Sequence, residues 1–471
     1  MERQSLYQLL MRSFGFIPTE GQRTVLYHLA AFLLSEKPKP TYLLQGYAGT
    51  GKTTLVTTLV KTLPIIGMRY QLMAPTGRAA KVISGYTGKS ASTIHRKLYR
   101  FQQYADGSLR MTRAENKAKN TVFIVDECSM ISDETTNGRS LLDDLISYVF
   151  NGENCRLLLI GDNAQLPPVG LENSPANDIN VLKHEFGLTV AAYELTEVMR
   201  QEEESGILWN ATALRQNLMA APIELPLFNV NYFNDVHRIE PQEFEELLWQ
   251  KFGDRTNNEA VIICRSNKRA NMYNQAVRAR ILQEEGEIST GDKLMVVKNN
   301  YFWTDEDQKI SFIANGDMIE LMRINNTEEM YGFHFADVEI QLTDYQEEPN
   351  LSVKILLETL TSDSPALTQE EADRLYRAVE EDYMDIPNKR DRYKAMRQNP
   401  YFNALQVKFG YALTCHKTQG GQWPTVFLDA PYIKEDESLQ VSDLRWFYTA
   451  VTRAQKQLYF VNFEDAYFVN L

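Results

Sequence analysis

Cysteine is scarce: 4 of 471 residues, at Cys128, Cys155, Cys264 and Cys415, with no CxxC pair. That scatter argues against a disulfide scaffold and a thiolate zinc site, and it leaves reduced, buried thiols as the expectation. Long apolar runs are missing too. No stretch approaches the ~20 residues that span a bilayer. Residues 1–10 lack the basic region and apolar core of a signal peptide. The expectation is a soluble, cytoplasmic chain with no membrane contact. Repeats and low-complexity segments are also absent. A hydrophobic content of 44 % and a charged content of 24 % are those of a globular protein, of roughly two to four domains at this length.

Positive charge is in overall deficit, with 49 Lys and Arg against 62 Asp and Glu and a net charge of −13. A blanket nucleic-acid coat is therefore excluded, although a local one is not. Residues 78–119 carry ten Lys and Arg, opposed only by Asp106 and Glu115. Such a strip is either a focused anion site or a solvated basic face.

Periodicity outlines an α/β protein. Residues 20–34 have helical spacing after Pro18-Thr19. Strand candidates follow at Thr41–Leu44, Gln71–Ala74, Val122–Val125 and Arg156–Ile160, with helical stretches between them. Strands that are apolar throughout imply a parallel sheet covered on both faces. A second set comprises Ala260–Cys264, Thr425–Leu428 and Leu458–Val461, with helices at Lys268–Gln283 and near Asp443–Arg453. Two α/β lobes result: residues 1–215, and 216–290 joined with 401–471. Between the parts of the second lobe, residues 291–400 read as a β-rich insert with a helical excursion.

The segment Gly46-Tyr47-Ala48-Gly49-Thr50-Gly51-Lys52-Thr53, followed by Thr54, fits G-x-x-x-x-G-K-[ST] between a strand and a helix. That context makes it a phosphate loop: backbone N–H groups cradle phosphates, Lys52 reaches the β- and γ-phosphates, and the Thr53 hydroxyl meets Mg²⁺. Asp126 and Glu127 end an apolar strand expected beside the loop's own. Asp126 can hold Mg²⁺, and Glu127 can orient and deprotonate the attacking water. Gln165, in Gly161-Asp162-Asn163-Ala164-Gln165, can reach a γ-phosphate or its water. Arg200 and Arg453 lie in helical contexts from which a guanidinium could neutralise charge developing in phosphoryl transfer. The guanine-reading N-K-x-D is absent, because Asn267-Lys268-Arg269-Ala270 lacks the final Asp. A small-molecule kinase would need no second lobe.

GYAGTGKT, APTGRAA (74–80), ASTIHRKL (91–98), VDECSM (125–130), GDNAQLPPVG (161–170), LTEVMRQ (195–201), LTCHKTQGGQW (413–423) and YTAVTRAQ (448–455) occur in that order. Together they resemble the ordered motifs of superfamily 1 helicases, in the B branch of RecD-like, Pif-type and phage Dda-type proteins. The resemblance implies two RecA-like lobes and an ATP- and Mg²⁺-dependent motor that travels 5′→3′ on single-stranded DNA and opens duplex at single-strand/double-strand junctions. It also implies that Gln22 reads adenine and that Arg200 and Arg453 meet the γ-phosphate. Thr76, Arg78, Thr93, His95, Thr414, His416 and Lys417 would touch the strand. Gln422 departs from the pattern, since many relatives place an acid there to hold the ribose.

Residues 99–112 form two alternating runs joined across Asp106-Gly107, a hairpin signal. In relatives an insert here, about 97–118, is a pin that splits duplex, and Phe101 and Tyr104 would stack on the last base pair. The alternative is a hairpin packed on its own lobe. The insert resembles an SH3-like module with a turn at Asn315-Gly316-Asp317, and its helical excursion either clamps the strand or is simply solvated. Trp303, Trp423 and Trp446 are expected in the core. Single-strand-binding or replication/repair proteins are the expected partners of a monomer acting in DNA repair or recombination. The rival readings are an ATP-driven translocase subunit that does not unwind and an ATP-gated nucleic-acid-binding switch.

Overall fold

The computed structural model describes residues 2–103, 109–132, 135–136, 139–197, 204–254, 260–304, 312–343, 345, 347–433 and 438–469, without the side chains of 101–111 and 135–136. Two all-parallel sheets and a closed barrel organise them. The six-stranded sheet runs in the order Thr189–Leu195, Pro40–Gly46, Arg156–Gly161, Thr121–Val125, Arg69–Ala74, Ala91–Thr93. Thr121–Val125 and Arg156–Gly161 are buried along their whole lengths, as strands covered by helices on both faces must be.

The helices Arg3–Phe14, Glu20–Leu33 and Lys52–Thr62 cover one face through Leu6, Leu10, Val25, Leu29, Leu55 and Leu59. Glu20–Leu33 starts at a capping box in which Thr19 and Gln22 satisfy each other's backbone N–H, a reciprocal arrangement that defines the first turn. Leu141–Asn151 begins with a similar box, formed by Ser140 and Asp143, and packs on the opposite face.

The second sheet is ordered Val236–Arg238, Ala454–Val461, Trp423–Asp429, Ala260–Cys264, Ala412–Thr414. Two expected boundaries move. The helix Gly206–Leu218 packs on Val441–Val451, with Ile207, Ala211 and Leu214 in the second lobe's core. A division at 215/216 would cut this helix, and packing assigns it to the second lobe. The insert also runs past residue 400. Its barrel comprises Lys293–Val296, Met318–Met330, Phe333–Leu342, Leu351–Leu356 and Leu405–Phe409, and the last of these pairs with the first. The helical excursion, Gln369–Glu381 and Lys389–Met396, caps the barrel: Leu375, Val379 and Met396 pack on Phe333, Phe335 and Leu356. Trp423 and Trp446 are buried, and Trp303 is partly so.

The predicted hairpin is present as Tyr99–Gln103 paired antiparallel with Leu109–Arg113. Its base is tied to Asp144, which accepts from Tyr99 Oη at 2.8 Å and pairs with Arg113 at 3.5 Å. The Asp106-Gly107 turn and Tyr104 lie outside the described residues, as does the Phe101 side chain. Arg113 and Lys119 pair with Asp144 and Glu153, while Arg78 and Lys81 turn toward the second lobe and the barrel.

Candidate functional site

The strand Pro40–Gly46 delivers the phosphate loop to the start of Lys52–Thr62. Gly49 and Gly51 take φ of +75° and +84°, a region that side chains resist. The first turn of the helix leaves backbone N–H groups without intrahelical acceptors, which suits an anion. Lys52 Nζ lies back over the loop and donates to the Gly46 and Tyr47 carbonyls at 2.5 and 2.8 Å. Residues Ala48 to Thr54 line a cleft of about 950 Å³ between the lobes.

Gln22 is fully buried and does not line this cleft. Its Oε1 accepts from the Thr19 N–H at 3.0 Å, and its Nε2 donates to the Thr50 carbonyl at 3.0 Å. Both ends of the amide are engaged in these bonds, and Nε2 braces the phosphate loop at Thr50.

Asp126 and Glu127 follow Thr121–Val125, but that strand is not the immediate neighbour of Pro40–Gly46. Arg156–Gly161 lies between them and brings Asp162 and Gln165 to the same edge. Tyr86 Oη donates to Asp126 Oδ2 at 2.7 Å, and the Glu127 N–H donates to Oδ1 at 2.9 Å. Burial raises the pKa of both carboxyls. The Asp126 charge raises that of Glu127 further, against the opposing pull of Arg453 and Lys52. Glu127 sits at φ +54°, an uncommon conformation for a residue with a side chain. Gln165 is 7 % exposed, and its Oε1 has no hydrogen-bond partner among the described residues. Such an acceptor at a cleft wall is suited to a water or a hydroxyl.

The second lobe supplies the facing wall. Arg453 is 3 % exposed, and its guanidinium donates to the Thr449 and Gly421 carbonyls and the Thr452 hydroxyl at 2.9, 3.1 and 3.1 Å. Gln422 also lines the cleft, and its Oε1 accepts from Gln455 Nε2 at 3.0 Å. Arg200 lies outside the described residues.

Three side chains with no role in the sequence reading join the lobes here. Tyr448 Oη accepts from the Ala48 N–H at 2.8 Å and donates to Asp162 Oδ2 at 2.8 Å. Thr449 Oγ1 accepts from the Leu166 N–H at 2.8 Å. Tyr47, from the phosphate loop, is buried in the second lobe's core cluster, under the Arg215 guanidinium at 4.6 Å. Asp162 carries a sequence signal of its own, as an acid at the carboxyl end of a parallel strand.

A second cavity, of about 290 Å³, gathers most of the residues expected to touch DNA. Thr76, Arg78, Thr93 and His95 come from the first lobe, His416 and Lys417 from the second, and Asn315 and Gly316 from the barrel turn. Thr76 and Thr93 cap the helices Gly77–Thr87 and Ile94–Leu98, accepting from the Ala79 and Arg96 N–H groups. Lys417 Nζ donates to Asn315 Oδ1 at 2.9 Å. Burial lowers the pKa values of His95, His416 and Lys417. Thr414 ends the strand Ala412–Thr414 and does not line this cavity.

Comparison with known proteins agrees with this arrangement. Residues 19–225 match the family described as AAA domain, and residues 409–461 match the UvrD-like helicase C-terminal domain. The chain is 33 % identical over 196 residues to the ATP-dependent RecD2 DNA helicase of Deinococcus radiodurans, covering 42 % of this chain and 24 % of that one. It is 27 % identical over 330 residues to the ATP-dependent DNA helicase dda of Enterobacteria phage T4, covering 66 % and 68 %. The chain thus spans about a quarter of the length of the first relative. A solved structure of Pif1 helicase from Bacteroides, in complex with ADP-AlF3 and ssDNA, aligns at 13 % identity and a TM-score of 0.48, covering 97 % of this chain and 95 % of that one. Residues 19–225 and 409–461 thus carry the two matched domains on the two parallel-sheet lobes, and the chain is similar in sequence to the RecD2 and Dda DNA helicases.

Proposed function

We propose that this protein is an ATP-driven DNA helicase that moves 5′→3′ along single-stranded DNA and opens duplex ahead of it. One observation carries the reading. Both lobes contribute to the phosphate-loop cleft, and both contribute to the cavity that holds the strand-contact motifs. In the proposed cycle, Lys52 and the loop amides bind the β- and γ-phosphates, Glu127 takes the proton of the attacking water, and Gln165 orients that water. Arg453 lies on the opposite wall, where release of its carbonyl partners would free the guanidinium for the γ-phosphate. Lobe closure then depends on the nucleotide, and the strand grip alternates because each state binds DNA differently.

The Thr53 hydroxyl and the Asp126 carboxylate are hard oxygen donors at the cleft, and few protein ligands suffice when phosphates complete the shell. They fit Mg²⁺, which would supply positive charge to neutralise the phosphates there. The RecD2 and Dda relatives support DNA as the track. The proposed polarity follows that branch of the family.

A tailed-duplex assay tests activity and direction together. Duplex with a 5′ single-stranded tail is expected to unwind with ATP, and a 3′-tailed duplex is not. The opposite preference overturns the polarity, and failure on both overturns unwinding. The hairpin is proposed as the pin, with its base tied to Asp144. Replacing residues 104–108 with a two-residue turn should abolish strand separation while DNA-stimulated ATP turnover persists. Unwinding at the original rate would dismiss the pin.

A further inference from the structure

Helix Gly77–Thr87 touches every part of the motor. Near its C-terminal end, Tyr86 Oη holds Asp126 at the nucleotide cleft. In its middle, Lys81 Nζ donates to the Thr343 carbonyl of the barrel at 3.1 Å. At its start, Arg78 lines both the nucleotide cleft and the DNA cavity. The Arg78 guanidinium carbon lies 3.6 Å from the centroid of the Trp423 ring, and its Nη2 donates to the Gln422 carbonyl at 3.3 Å. Trp423 is 4 % exposed, and its backbone N–H donates to the Arg453 carbonyl at 2.9 Å. A continuous run of contacts thus leads from the γ-phosphate arginine candidate, through the indole, to the helix whose cap residue Thr76 lines the DNA cavity.

The second lobe is shaped to receive this arginine. A Cβ on Gly421 would lie 2.5 Å from Arg78 Nε. One on Gly420, already at φ +70°, would lie 2.8 Å from Ala79 Cβ and 3.0 Å from Thr76 Oγ1. Gly420 combines a positive φ with close approach of the first lobe, and Gly421 leaves room for the Arg78 side chain. A guanidinium stacked on an indole uses the flat, delocalised shape of arginine, which an ammonium lacks. A phosphate contact needs chiefly the charge.

We propose that Arg78 is a positioning residue whose stack on Trp423 makes the state of the nucleotide cleft felt at the DNA cavity. This rests on the helicase reading above. The affinity of one ligand then depends on the other, and the stack carries part of that coupling.

The test is the Kd of a labelled dT oligomer, measured by anisotropy with Mg²⁺, with and without saturating AMP-PNP. The ratio of the two values reads the coupling. In the unaltered protein the ratio should differ from one by at least about fivefold. Arg78→Lys keeps the charge and should bring the ratio close to one, as should Trp423→Leu. The double variant should lose no more than either single change, because both break one contact. Trp423→Phe, which retains an aromatic face, should keep most of the ratio and guards against a folding defect. If Arg78 only contacts DNA phosphate, Arg78→Lys leaves the ratio intact. Arg78→Gln then weakens both states by the same factor and lowers the salt slope by about one. That pattern overturns the proposal. Absence of ATP turnover or DNA binding in the unaltered protein is failure of the helicase reading itself. Both activities present with a ratio of one is failure of this inference alone.

Discussion

Glu127→Gln is expected to bind ATP and to hydrolyse it about 10²–10⁴ times more slowly, the usual contribution of a positioned general base. The substitution preserves side-chain volume and removes only the proton acceptor. Glu127 lies on the cleft, beside Asp126 and within the fields of Lys52 and Arg453. Its backbone is left-handed, at φ +54°, and its N–H is committed to Asp126. These constraints fix where the carboxylate points, so the amide variant should adopt nearly the same pose. Single-turnover hydrolysis with single-stranded DNA, read alongside fluorescent-nucleotide binding, separates the chemical step from affinity. Turnover within a few-fold of the original would remove Glu127 from the reaction and leave Gln165 and Asp162 as the remaining cleft candidates.

Lys52→Ala is expected to reduce ATP turnover by about a thousandfold and to stop unwinding entirely, in line with the loss of a charged donor at the transferring phosphate. Lys52 Nζ is held by the Gly46 and Tyr47 carbonyls, which keeps the ammonium over the loop through which the phosphates must lie. Alanine removes the charge without disturbing the glycine conformations of that loop. The phosphate cradle therefore persists without its cation, and weakened nucleotide binding should accompany the lost turnover. A steady-state ATPase assay over a wide ATP range checks both effects. Substantial hydrolysis by this variant would refute the phosphate role of the loop.

The two predictions differ in how far the sequence alone supports them. The phosphate loop was legible because its chemistry is local: glycine, lysine and threonine at fixed spacing between a strand and a helix. Asp126 and Glu127 were legible as acids at a strand end, but the strand between them and the loop was not foreseen, because strand order is a property of the whole sheet. Tyr86 and Tyr448 could not be found in this way. Tyr86 meets Asp126 from 40 residues away, and Tyr448 meets Ala48 from 400 residues away. No periodicity marks such partners. The motif around Gln22 likewise says nothing about which way a buried amide turns. The lobe boundary failed at Gly206–Leu218, whose apolar stripe shows that it packs and not on what. The insert boundary failed because Leu405–Phe409 follows a helical stretch, which hides its return to the barrel.

That returning strand bears on how the protein is made. The six strands around the phosphate loop all lie within residues 40–195, so this sheet can assemble while the rest of the chain is still being synthesised. The barrel cannot close until Leu405–Phe409 has emerged, and the neighbouring sheet cannot close until Ala454–Val461 arrives to pair with Val236–Arg238 and Trp423–Asp429. Bringing together such distant segments costs loop entropy and slows their pairing. Until then Tyr47 has no apolar surroundings to enter. The sheet that carries the phosphate loop can therefore form before Tyr448, which bonds the Ala48 N–H, is available to seat the loop itself.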